Sequence, residues 1–198
     1  MKVYTARHGQ TSWNAEGRMQ GHIDIPLNEV GAEQAEKLAE RFKDVKIDKI
    51  YASSLSRAYD TAVAINKYHN VEIVSDDALR EVGYGEFEGR LISEIGEQFQ
   101  ALQKEGKPMP GGEELETFYT RVHTSLDKLT KENDGKTLLI VGHAGTVRAA
   151  IAYYLELPLN TVFSSFGIGN TAVHCFERSE GLDRFCMSIE NDSSHLYD

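Results

Sequence analysis

Cysteine, tryptophan and positive charge are all scarce in this chain of 198 residues, and each scarcity excludes something. Its two cysteines, Cys175 and Cys186, have no metal-type spacing and make no disulfide framework, so both read as ordinary reduced residues. His69, His123, His174 and His195 also lack ligand spacing and read as surface or structural, so neither a metal nor a cofactor is expected. Lys and Arg number 21 against 31 Asp and Glu, for a net charge of −10. That balance argues against nucleic acid and anionic membranes as partners. No apolar run is long enough to span a bilayer. The first residues start a strand rather than a signal peptide, so a cytoplasmic location is expected. Four prolines, no fixed-period repeat and no low-complexity linker leave a single domain over residues 1–198. Hydrophobic residues at 40% and charged residues at 26% suit an ordinary globular core.

The apolar pattern then sets out the elements. Lys2 to Ala6 reads as a short buried strand. Trp13 to Leu27 has Gly17, Gly21 and Pro26 without steady periodicity and reads as a loop. Asn28 reads as the N-cap of a helix with an Ala32, Ala35, Leu38, Ala39, Phe42 stripe. Asp48 to Ala52 reads as a second strand, Ser53-Ser54 as a cap, Leu55 to Tyr68 as a helix and Val71 to Val74 as a third strand. Asp76 to Gly89 is irregular, and Ile92 to Lys104 is helical. A breaker-rich loop at residues 107–112 precedes a long amphipathic helix over Glu113 to Asn133. In that helix Leu115, Phe118, Val122, Leu126 and Leu129 share a face, and Glu113, Glu114 and Glu116 read as dipole capping.

Thr137 to Gly142 is the most apolar run, as expected of a central parallel strand buried on both faces. A helix follows through Val147 to Leu155. Thr171 to Phe176 and Phe185 to Ile189 read as an antiparallel pair at one sheet edge, turning at Glu180-Gly181-Leu182. The tail from Glu190 reads as loosely ordered. Strand and helix alternate, which predicts a three-layer α/β fold.

Two strand ends carry chemistry. The first strand stops at Arg7-His8-Gly9-Gln10-Thr11, and the central strand stops at His143-Ala144-Gly145-Thr146. In open α/β sheets, ligands bind outside the carboxyl ends of strands. Two histidines so placed, each before a glycine and a threonine, are hard to explain as packing. Arg57 has two readings: a surface arginine paired with an acid, or an anion ligand working with a helix N-terminus. Any anionic substrate would need a local cationic pocket in this acidic chain.

The Arg-His-Gly-x-Thr stretch, with Arg57, Glu81 in Leu79-Arg80-Glu81-Val82-Gly83, and His143, resembles the histidine phosphatase superfamily, the phosphoglycerate mutase-like enzymes. The resemblance runs in order along nearly the whole chain. It implies a phosphoglycerate mutase-like α/β/α sandwich, mostly parallel with an antiparallel edge, and a helical cap insertion at about residues 91–115. By this likeness His8 is the nucleophile that becomes phosphohistidine, with its other nitrogen donating to a carbonyl to fix the tautomer. Arg7, Arg57 and His143 form the phosphate pocket, and His143 would donate more strongly if charged. Glu81 is the general acid. Asn14, Gln20 and the Gly21 backbone are further substrate-binding positions.

The segments from Gly83 to Gly89 and from Pro110 to Glu114 look like the broad-specificity and alpha-ribazole phosphatases of that superfamily. The expected function is therefore a metal-independent phosphomonoesterase acting on small phosphorylated metabolites, as a monomer or homodimer. The alternative is a cofactor-dependent phosphoglycerate mutase, which needs a basic cluster for a second phosphate. After Glu81 this chain has Glu86, Glu88 and only Arg90. A binding module that kept the fold would be expected to lack one of Arg7, His8, Arg57, Glu81 or His143, and all five are present. Trp13, His22, Ile23, Tyr84, Phe87, Phe99 and Met109 are candidates for the pocket wall.

Overall fold

The computed structural model describes residues 1–158, 161–162, 167–179, 181 and 184–197, with the side chain of residue 103 excepted. Strands β1 (Lys2–Arg7), β2 (Lys49–Ser53), β3 (Ile73–Asp76), β4 (Thr137–Gly142), β5 (Val173–Glu177) and β6 (Cys186–Asp192) form one sheet in the order β3-β2-β4-β1-β5-β6. The first four in that order run parallel, and β5 and β6 are antiparallel additions at one edge. The helices are α1 (Ser12–Glu16), α2 (Glu29–Phe42), α3 (Ser56–Asn66), α4 (Ile92–Glu105), α5 (Leu115–Glu132) and α6 (Ala144–Leu155).

Strand β4 shows why the sheet has helices on both faces. Successive strand side chains point to opposite sides. Leu138 and Ile140 join a core with Phe118, Val122 and Leu126 of α5 and Val147 and Ile151 of α6. Leu139 and Val141 join the other core with Leu38 and Phe42 of α2 and Ala58, Ala62 and Ile65 of α3. Each such side chain, when fully buried, contributes roughly 1.5–3 kcal/mol. Both faces must therefore be apolar, which is why the run has no polar alternation. A smaller cluster holds Phe87, Ile95 and Met109, with Met19, Tyr84, Phe99 and Leu102 packed against it.

Several expectations shift. Trp13 to Glu16 is helical rather than loop, because Thr11 and Asn14 form a capping box around a single turn of helix. Asn28 does cap α2, but its inward face uses Gly31 where Ala32 was expected. Neither Ser53 nor Ser54 caps α3. Asp24 does, from the loop between α1 and α2, accepting from the Ser56 N–H and Oγ, both at 2.8 Å. Strand β3 lies two residues later than expected. Leu115 is exposed at the mouth of α5, outside the buried stripe. The tail is tied down: β6 runs to Asp192, Arg41 pairs with Asp192 at 2.6 Å, and His195 is buried. The turn expected at Glu180, Gly181 and Leu182 lies outside the described residues, save for Gly181. Among the described residues, no helix is long and apolar enough to cross a membrane.

Candidate active site

Strands β1 and β4 are parallel neighbours with Arg7 opposite Gly142, so the two signature segments leave the sheet side by side. The His8 N–H donates to the Gly142 carbonyl at 2.9 Å, which ties the two exits together. The imidazoles of His8 and His143 lie 5.1 Å apart between centroids, at 61°. Both are buried. Gly9 must be glycine here, since a Cβ would come within 2.4 Å of the Gly31 carbonyl at the start of α2.

The two rings are held differently. His8 Nδ1 lies 2.6 Å from the Gly9 carbonyl, which can only accept. Nδ1 therefore carries the hydrogen, and the neutral ring keeps its lone pair on Nε2. His143 Nε2 lies 2.8 Å from Ser53 Oγ at the end of β2, and its Nδ1 is buried without a hydrogen-bond partner among the described residues. Burial, with Arg7 and Arg57 nearby, holds the His8 pKa well below the usual histidine value. Burial, Arg57, His8 and Arg7 do the same to His143. His143 is therefore neutral near pH 7 in the ligand-free protein, so the stronger donation of a charged ring is not available there.

Arg57 is fully buried, which excludes the surface ion pair. Its Nη1 and Nη2 donate to the Ile23 and Gly21 carbonyls at 2.9 and 2.8 Å. Burial lowers its pKa to about 10, so it remains charged at neutral pH. Arg7 donates from Nη1 to the Ile168 carbonyl at 2.7 Å. Arg7 Nε and Arg57 Nε are, like His143 Nδ1, buried without hydrogen-bond partners among the described residues. Unsatisfied buried donors cost free energy unless something accepts from them, and an anion between these groups would accept from them.

Glu81 lies in the loop after β3. Its carboxylate accepts from the Gly145 N–H at 3.1 and 3.2 Å and from the Val82 N–H at 3.0 Å. A Cβ on Gly145 would come within 2.1 Å of Glu81 Oε1, so that glycine makes room for the carboxylate. The structure therefore gathers Arg7, His8, Arg57, Glu81 and His143 at one end of the sheet.

The three further substrate-binding candidates make hydrogen bonds beside these groups. Asn14 Oδ1 accepts from the Thr11 N–H at 3.1 Å, so one end of its amide serves the capping box. Gln20 Oε1 accepts from Thr11 Oγ1 at 3.0 Å. Gly21 presents its carbonyl to Arg57. Of the wall candidates, Phe87 and Met109 are core residues of the small cluster instead, because their apolar surface is covered by α4.

Some members were not legible. Ser53 read as a cap. Glu88 read as a general acidic feature, yet it accepts from the His22 and Tyr84 N–H groups, both at 2.9 Å. Glu113 read as dipole capping and is instead paired with Arg121, which was not singled out. No periodicity marks these residues: Ser53 and Glu88 meet His143 and His22 from distant parts of the chain, and Glu113 meets Arg121 of α5 through a side-chain fork that leaves no apolar stripe.

Residues 3–187 match the Histidine phosphatase superfamily (branch 1), and the chain belongs to that family. It is 34% identical over 204 residues to phosphoglycerate mutase-like protein 4 of Arabidopsis thaliana, covering 98% of this chain and 86% of that one. It is 33% identical over 187 residues to phosphoserine phosphatase 1 of Hydrogenobacter thermophilus, covering 90% and 88%. The phosphoserine phosphatase of Entamoeba histolytica, solved in complex with 3-phosphoglyceric acid, superposes with a TM-score of 0.85 at 28% identity over 98% of both chains.

Proposed function

We propose that this chain, a phosphoric monoester hydrolase of the histidine phosphatase superfamily, hydrolyses small phosphorylated metabolites through a phosphohistidine on His8. The observation that carries this is the locked His8 ring. Its Nδ1 hydrogen is committed to the Gly9 carbonyl, so Nε2 offers a lone pair beside two arginines and His143.

In the first step Nε2 forms a bond to phosphorus, the ester P–O bond breaks, and Glu81, in its acid form, gives its proton to the leaving alkoxide. In the second, Glu81 takes a proton from water. That water attacks phosphorus, the N–P bond breaks, and inorganic phosphate leaves. Arg7, Arg57 and His143 bind the equatorial oxygens, where charge is held in the transition state. Asn14, Gln20 and Gly21 line the mouth, and residues 91–115 cap it within a single domain.

Names among the relatives include both a phosphoserine phosphatase and a phosphoglycerate mutase-like protein, so a mutase is the second reading. Against it stands Glu88, whose carboxylate faces Gly21 at the pocket rim and would repel a second phosphate. The test is phosphate release from an aryl phosphate, then from a panel of phosphoserine, 3-phosphoglycerate, sugar and nucleotide phosphates. The phosphoenzyme is sought by mass spectrometry. Phosphate release with a phosphorylated His8 peptide is expected. Interconversion of 2- and 3-phosphoglycerate without net release would install the mutase reading instead.

A further inference from the structure

We propose that Arg121, in partnership with Glu113, is a positioning residue that sets the general acid: it holds the loop carrying Glu81 against the two histidines. This rests on Glu81 being that acid.

Arg121 projects from α5, and all five of its N–H donors are used. Nη1 donates to the Ala78 and Arg80 carbonyls, both at 2.9 Å, and Nη2 to the Glu81 carbonyl at 2.8 Å. Nε and Nη2 grip the Glu113 carboxylate at 2.7 and 2.8 Å. Glu113 in turn accepts from the Gly83 N–H at 3.2 Å. The pair therefore clamps the loop from residue 78 to 83 on both sides of Glu81. The Glu81 carbonyl also lies 2.8 Å from His22 Nε2. Its backbone is thus fixed from outside while Gly145 holds its carboxylate from inside.

The pair is mostly buried, with side-chain exposures of 22% and 15%. Burial alone would raise the Glu113 pKa, but Arg121 and the Gly83 N–H hold it below the usual range, so the ion pair persists. Neither side chain touches the His8 and His143 rings in any hydrogen bond, which separates positioning from phosphate binding. Lysine cannot replace this arginine, because an ammonium lacks the planar fork that spans three carbonyls and a carboxylate.

A general acid matters in proportion to how badly the leaving group needs a proton. The experiment compares kcat/KM for two substrates: the alkyl phosphate of the panel that wild type hydrolyses fastest, and dinitrophenyl phosphate, whose leaving group needs none. Their ratio within one preparation is independent of the fraction of enzyme folded. Glu81→Gln, Arg121→Lys and Glu113→Gln are measured together.

We expect Arg121→Lys to lower the alkyl value by about tenfold to a hundredfold and the dinitrophenyl value by less than about threefold. Glu113→Gln should show a smaller skew of the same sign. Equal losses on both substrates, or no loss, in Arg121→Lys while Glu81→Gln is skewed would overturn the positioning role and leave Glu81 in place. A Glu81→Gln variant without skew would remove the acid role, and this inference with it.

Discussion

The ends of β1 and β4 look alike in sequence and differ in what they do with a histidine. Each is a buried parallel strand that stops at a histidine, a glycine and a threonine. His8 hydrogen-bonds to a carbonyl, which only accepts, whereas His143 hydrogen-bonds to a serine hydroxyl, which both donates and accepts. The first arrangement locks one tautomer and leaves a defined lone pair. The second lets the ring hand a hydrogen to Ser53 or take one as an anion arrives at Nδ1. Ser53 Oγ also accepts from the Leu55 N–H at 3.3 Å, so it has a second partner in either state. The same motif therefore suits a nucleophile at one strand end and an adaptable donor at the other.

The largest effect that would separate the two ends is removal of the proposed nucleophile. His8→Ala should lower phosphate release by on the order of 10³-fold or more and abolish the phosphoenzyme in the mass spectrum. Residual phosphoenzyme on another residue would break the assignment. His143→Ala should cost roughly 10²-fold in kcat while the phosphoenzyme still forms, as for loss of one transition-state donor. His143→Gln should recover part of that, since an amide still donates. Equal and complete loss in both His143 variants would mean that the two histidines share one role.

Ser53→Ala tests the hydroxyl partner itself, with an expected loss of a few-fold, about 1 kcal/mol, in kcat/KM. A loss as large as that of His143→Ala would show that the hydroxyl governs the ring.

A last effect, on stability rather than on activity, concerns a third histidine on the same sheet, placed within a strand rather than at its end. His174 is fully buried in β5, with neither ring nitrogen hydrogen-bonded among the described residues, and burial lowers its pKa from 6.5 to about 4. Between those values the unfolded chain binds a proton that the folded chain refuses. Stability is therefore retained above about pH 6.5 and declines as pH falls toward 4. The loss is on the order of 3 kcal/mol at most, and His8 and His143 add to it in the same direction. Urea midpoints measured across that range should fall with pH for the wild type and fall less steeply for His174→Leu. Parallel curves would show that His174 gains its proton without unfolding.

The sheet and its helices were largely legible because burial on two faces leaves a long apolar run, as in Thr137 to Gly142, and burial on one face leaves a helical stripe, as in α2. The short α1 was not legible, because a capping box around one turn leaves no stripe. The ordered tail was not legible either, because its anchor is Arg41 on a distant helix. In the site, Arg7, His8 and His143 stood out by sitting at strand ends. Arg57 stayed ambiguous, since nothing in its own segment says whether it is buried.

By itself the sequence determined which strands would be central, where the histidines would leave the sheet, and which family the motifs belong to. These follow from local periodicity and from residue types at fixed spacing. Only the tertiary structure decided which ring nitrogen keeps its lone pair, that Arg57 is buried among carbonyls, and that Arg121 and Glu113 clamp the Glu81 loop. The last two depend on hydrogen-bond partners more than thirty residues away in the chain, and the first, although its partner is the adjacent Gly9 carbonyl, depends on how packing against α2 turns the chain after β1.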